Sequence, residues 1–157
     1  LKNVYNNFQS RREFKCPIFD NNLPNGCVAS FQHIEELFQH EESLSLKKAH
    51  RLKMAALNPK SIEKSSVQLA VSIFNESTRD ALQFYGNYDG KATWLGTAEF
   101  IALIIKLWNI LNVKSNHKGK HKRDMTMEPV QSKDDWKLQF LREFADFLTR
   151  WEQTKLP

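Results

Sequence analysis

Glycine and proline are scarce, five of each in 157 residues, too few for a sandwich or barrel assembled from many tight turns. The glycines are scattered and match neither GxxxxGKS/T nor GxGxxG. A nucleotide could therefore be held only by helix ends and side chains, not by a Walker-type loop. Two cysteines, Cys16 and Cys27, make no disulfide framework and point to a reducing compartment. Long apolar runs are also missing. The stretch FIALIIKLWNIL (100–111) is shorter than the ~18 residues of a membrane span and carries Lys106, so no membrane is expected as a partner. No secretory signal opens the chain, and its first residue is not Met, as expected of a fragment excised from a longer protein.

What is present is aromatic and apolar: 41% of residues are hydrophobic, with 11 Phe and four Trp. A chain of this length fits one domain and can remove about 68–70% of its unfolded surface from water. The net charge of +5 is local, because Lys114, Lys118, Lys120, Lys122 and Arg123 fall in ten residues without an acid. Without residues 114–123 the chain is near neutral, which argues against an extended nucleic-acid surface. This basic segment could touch phosphates, but it has no aromatics for stacking on bases and would bind without specificity. The simpler reading is a solvated connector.

The periodicity predicts a mainly α fold of about five helices with a small β-hairpin near the N-terminus. Residues 1–8 form a short helical or extended lead-in. Strands at 13–18 and 27–29 flank PIFDNNLPNGCVAS, where Asn25-Gly26 suits a turn with positive φ. Ser30 caps a helix that buries Phe31, Ile34, Leu37 and Phe38 and ends near His40. A second helix covers 44–57, with Lys47, Lys48, Arg51 and Lys53 outside, and stops at Asn58-Pro59. A third runs over 61–85. Thr97 caps a central helix over 98–112. Residues 113–132 read as a flexible basic loop. Ser132, with Asp135 three residues on, then opens a helix over 133–153 carrying Trp136, Phe140, Phe144, Phe147, Leu148 and Trp151. The whole chain reads as a single helical unit.

Catalytic chemistry finds little footing. Cys16, Cys27, His33 and His40 could ligate zinc, but the ten residues between the cysteines do not match structural zinc spacing; two buried thiols and two surface histidines are simpler, and no metal site is assigned. His117 and His121 sit in the basic loop. No strand–turn–helix frames a nucleophile. The pairs Glu35/Glu36, Glu41/Glu42 and Asp134/Asp135 lie at helix edges, where solvent-facing charge is the ordinary explanation. No catalytic residue is assigned.

One ordered set of segments carries more information. KSSVQLAVSIFNESTRDAL (64–82) resembles the K-x-x-V-x-L-A-x-Q-x-F-S-x-S-V-A-x-A-L segment of P-element-type DNA transposases, the group that often carries THAP DNA-binding domains. TAEFIALIIKLWNILN (97–112) is similar to that family's TAxFI…N-x-x-F-D-x-L-N-S helix. The opening LKNVYNNF resembles the LLKxxRNxF that follows the family's second catalytic aspartate. The closing TKLP is similar to the stretch leading into FQxG. These anchors stand in family order over the whole chain.

The resemblance implies the helical, GTP-binding insertion that interrupts an RNase H-like catalytic core and helps assemble the transposase on transposon ends. The catalytic acids would lie before Leu1 and beyond Pro157, so this segment alone should not cut DNA. Lys64 matches the lysine that opens the first motif, a phosphate contact; Asn75 stands at the serine of FS and Ser77 at the next serine. Asn109 replaces the family aspartate that would face the base. An aspartate accepts guanine N1–H and N2–H together, whereas Asn109 offers one acceptor and one donor group. Glu76, Ile105 and Val113 also depart from the pattern. GTP with Mg²⁺ is the implied cofactor, and the departures imply binding weakened or lost, as in a domesticated descendant or a distant branch. The implied setting is nuclear, with the rest of a transposase core as partner and transposon DNA met through the basic loop. The competing expectation is a ligand-free helical module that docks a partner protein through the Trp136–Trp151 face.

Overall fold

The computed structural model describes residues 1–113, 119 and 122–154. Helix α1 (Lys2–Arg11) turns into a two-stranded antiparallel sheet, β1 (Glu13–Cys16) and β2 (Cys27–Ser30), followed by α2 (Phe31–Glu41). The strands pair from Glu13↔Ser30 to Cys16↔Cys27. Gly26 closes the connection at φ +65°, where an added Cβ would collide with the Cys16 carbonyl oxygen, so only glycine fits. Then come α3 (Met54–Leu57), α4 (Val67–Ile73), α5 (Glu76–Tyr88), α6 (Trp94–Leu111) and α7 (Trp136–Thr154). The mainly α class with an N-terminal hairpin is therefore observed.

The core forms where one phenylalanine collects four rings, from β1, α2, α6 and the junction of α4 and α5. Phe8 of α1 is fully buried. Its ring centroid lies 5.3 Å from Phe14, 5.5 Å from Phe31, 6.4 Å from Phe74 and 5.2 Å from Phe100. Stacked and edge-to-face pairs of this kind add to the burial of the rings. Helix α6 lies across this cluster, packing most extensively on α5 and β2. It is 18 residues long and apolar enough to cross a bilayer by length and composition alone, longer than its apolar heart at 100–111 indicated. Half of it is buried here as the central core helix.

Four helix boundaries differ from those read off the sequence, and near each a polar side chain finds a backbone partner. The helix expected over 44–57 is helical only at Met54–Leu57. The Glu41 carboxylate takes the N–H groups of Lys48 and Ala49, both at 2.9 Å, which a helix would give to carbonyls four residues back. Glu41 is thus buried, 2% exposed, not a solvent-facing charge. The helix expected over 61–85 breaks at Asn75. The helix expected from 98 begins at Trp94, and Thr97 is no cap: its buried Oγ1 accepts the Ser30 N–H at 3.0 Å and meets His33 Nδ1 at 2.7 Å. The last helix starts at Trp136, and Asp135 rather than Ser132 does the capping, accepting the N–H of Lys137 at 3.0 Å and of Gln131 at 3.0 Å. Breaking one helix in two and ordering α1 give more helical segments than the five expected.

The cysteines and histidines of the zinc reading are also placed. Cys16 is buried and Cys27 half-buried, and His33 is half-buried against Thr97 rather than on the surface. Among the described residues no group of three or more His, Cys, Asp or Glu side chains is arranged to hold a metal.

Two outcomes follow from these contacts. Phe8→Ala should lower stability by about 3–5 kcal/mol in urea denaturation. The backbone N–H groups of Lys137 and Gln131, helped by the Lys137 ammonium, hold the Asp135 carboxyl at about 2, below its ordinary 3.8. Its stabilising contribution is therefore complete above about pH 4 and lost as pH falls through about 2. An acid titration of thermal stability should show this loss, and Asp135→Asn should remove that component of it.

Candidate functional site

The polar run NESTRD (75–80) sits at a joint. Asn75 lies between α4 and α5, only 4% exposed, in an extended conformation that no helix continues through. Its Oδ1 accepts the Thr78 N–H at 3.0 Å, the Ser77 hydroxyl at 2.6 Å and the Thr78 hydroxyl at 3.3 Å. Its Nδ2 donates to the carbonyls of Val71 at 2.8 Å and Ser72 at 2.9 Å. One amide thus closes the C-terminus of α4 and caps the N-terminus of α5. Every hydrogen-bonding position of that amide is in use, so Asn75 shapes the site and has none left for a ligand.

The bend opens a cleft of about 1070 Å³. One wall is the α4–α5 joint with Glu76, Ser77 and Asp80; a second is α6, through Ile105, Lys106, Trp108 and Asn109. Residues 122–127 form the third, and His50, Arg51 and Trp136 complete the rim. Asp124 shapes the third wall by accepting the N–H and hydroxyl of Thr126 at 3.0 and 2.6 Å. It caps a 3₁₀ turn, Met125–Met127, that packs on α6. This part of the expected basic loop therefore carries a 3₁₀ turn.

Charge in the cleft is mixed, and the partners decide which charges can meet a ligand. Asp80 pairs with Arg79 at 2.9 Å. Lys106 is committed too: its Nζ donates to Asn22 Oδ1 at 2.7 Å and lies 4.5 Å from the Phe140 ring centroid and 5.6 Å from that of Trp136. Burial lowers its pKa, opposed by the nearby Glu143 carboxylate. Arg51, Lys122 and Arg123 are exposed and make no ion pair among the described residues. Glu76 occupies the first turn of α5, where an anion complements the helix dipole.

Of the residues nominated from sequence, Asn75, Ser77, Asn109, Lys122 and Arg123 line this one cleft. Lys64 does not. It lies in the 3₁₀ turn Glu63–Ser65, with its backbone carbonyl accepting from Asn6 at 2.9 Å. Lys114, Lys118, Lys120, His117 and His121 fall outside the described residues. Arg51, His50 and Trp136 are among the cleft residues that went unnominated. Arg51 stood on the outer face of an expected helix, although the acid-free stretch 43–62 was a signal for anion contact. Trp136 was placed in a docking stripe, but is 41% exposed on the cleft rim.

The profile of the TNP-like, GTP-binding insertion domain family matches residues 1–124. The chain belongs to that family, the insertion-domain class to which its ordered segments pointed. Neither the curated proteins nor the solved structures contain a match.

Because Asn75 holds two helices in register, Asn75→Ala should cost about 1–3 kcal/mol of stability, the value of a lost cap plus unpaired buried groups. Asn75→Ser, which keeps an acceptor for the Thr78 N–H, should recover part of this in thermal unfolding.

Proposed function

We propose that this chain is the nucleotide-binding insertion of a P-element-like transposase, active or domesticated, and that the cleft takes GTP. The observation that carries the reading is convergence: segments around 51, 75–80, 105–109 and 122–127 meet at one cavity within a family named for GTP binding. The residues fit the group. A triphosphate needs several cations, which Arg51, Lys122 and Arg123 supply without competing ion pairs among the described residues. A purine needs a flat apolar surface and an edge partner. The exposed Trp136 ring and the half-buried Trp108 supply the first, and the Asn109 amide the second. Ser77, half-buried on the joint, has its hydroxyl proton committed to Asn75 and offers its oxygen as an acceptor to the ligand's N–H or O–H groups.

The replacement of a carboxylate by Asn109 lowers selectivity for guanine rather than closing the cleft, and Glu76 opposes the triphosphate. Affinity should therefore be modest. Mg²⁺ would accompany the triphosphate, held mostly by phosphate oxygens and water. Bound nucleotide would order the cleft walls and assist assembly of a nuclear transposase core on DNA, with no hydrolysis by this chain. Residues 1–157 would act as one unit, with the rest of the transposase core and transposon DNA as its partners.

A second reading has its own observation. An apolar groove of about 500 Å³ runs between α1, α6 and α7, lined by Phe100, Leu103, Phe147 and the half-buried Trp151, a surface suited to a protein partner. Nucleotide titration separates the two. With GTP and Mg²⁺ at about 100 times Kd, the melting temperature should rise by about 5–10 °C, with a smaller rise for ATP and Mg²⁺. Trp136→Ala and Lys122→Glu should each reduce the GTP shift. No shift at millimolar nucleotide would overturn the GTP assignment and leave the docking reading.

A further inference from the structure

The cleft's Arg51 stands on the loop between α2 and α3, and that loop is held by a buried carboxylate. Glu41, the last residue of α2, accepts the N–H of Lys48 at 2.9 Å, the N–H of Ala49 at 2.9 Å and the Tyr85 hydroxyl at 2.7 Å. All three donors are neutral, so the contact is directional rather than an ion pair. The two backbone donors begin a turn, closed by Leu52 N–H on the Ala49 carbonyl at 3.1 Å, and Arg51 lies within it. Ala49 and Leu52 are buried while His50 and Arg51 are exposed, so the turn is anchored on one side and presents its cation on the other. Tyr85 belongs to α5, the helix whose first turn forms one wall of the cleft. One carboxylate thereby ties the rim turn that carries Arg51 to the helix of the α4–α5 wall.

Burying a carboxylate costs several kcal/mol of desolvation, and apolar packing often stabilises as well or better. An apolar side chain could anchor Leu52, but it could not orient two successive backbone N–H groups. We propose that Glu41 is a positioning residue for anion binding: by holding the backbone at Lys48 and Ala49 it sets the Arg51 guanidinium against a phosphate group of a nucleotide in the cleft. The proposal rests on the nucleotide reading of that cleft.

Calorimetric titration of the whole chain with GTP and Mg²⁺ at several salt concentrations tests it. Arg51→Ala and Glu41→Gln should each weaken binding roughly tenfold, the loss of one charge-assisted contact, and each should make the salt dependence shallower. The double variant should bind no more weakly than either single one, because both remove the same contact. Tyr85→Phe removes one bond to the same carboxylate but leaves both backbone bonds, and should bind as the wild type does. Wild-type affinity in Glu41→Gln, additive losses in the double variant, or equal loss in Tyr85→Phe would each overturn the assignment while leaving the cleft reading standing. A wild-type chain that binds no GTP overturns the cleft reading, and this one with it. Should Glu41→Gln fail to fold, limited trypsin digestion of the wild-type chain decides: GTP must slow cleavage after Arg51, and unchanged cleavage overturns the proposal.

Discussion

The side-chain amide of Asn75 is the constraint on which the functional half of this molecule depends. Its five hydrogen bonds end one helix and start the next within a single residue. Without that stop, the apolar periodicity on either side would favour one straight helix, and α5 would leave the surface of α6. With it, α5 packs along α6, the joint becomes a cleft wall, and Tyr85 is delivered to Glu41. A buried amide can do this because its donors and acceptors face opposite ways and saturate both helix ends at once.

The core and the cleft are stabilised by different physics. Around Phe8, rings from α1, β1, α2, α6 and the α4–α5 junction interlock, and their contribution is apolar burial that tolerates local adjustment. Around the cleft, position is set by directional bonds to backbone groups: Asn75 at the joint, Glu41 at the 48–51 turn, Asp124 at the 3₁₀ turn and Asp135 before α7. These four side chains shape the walls and the rim and leave charged and aromatic groups on the lining. Such a division suits a binding site, because rigid supports let the exposed cations and Trp136 meet a ligand with little loss of freedom on binding.

Much of the fold was legible in the sequence. The stripes Phe31, Ile34, Leu37 and Phe140, Phe144, Phe147 are buried as their spacing requires, and Asn25-Gly26 makes a turn with positive φ at Gly26. Where the reading failed, a polar residue had found a partner that periodicity cannot report. Glu41 looked like surface charge because Lys48, Ala49 and Tyr85 are remote or backbone donors. Thr97 looked like a cap because its partners, Ser30 and His33, lie more than 60 residues away. Of the site, the positions given by family resemblance fell largely on one cleft, but Lys64 did not, and Arg51 and Trp136 were assigned to other faces.

By itself, the sequence determined the helical class, the aromatic core, the lack of a glycine-rich phosphate loop and the family order of its segments. Each of these depends on composition or on spacing within a few turns of chain. Only the tertiary structure decided that α4 and α5 part at Asn75, that Glu41 is buried, and that Arg51, Asn109, Lys122 and Trp136 share one cavity. Those outcomes depend on which donors and acceptors meet across dozens of residues. A buried polar group must find such a partner in the folded chain, and short-range pattern does not say which partner it will be.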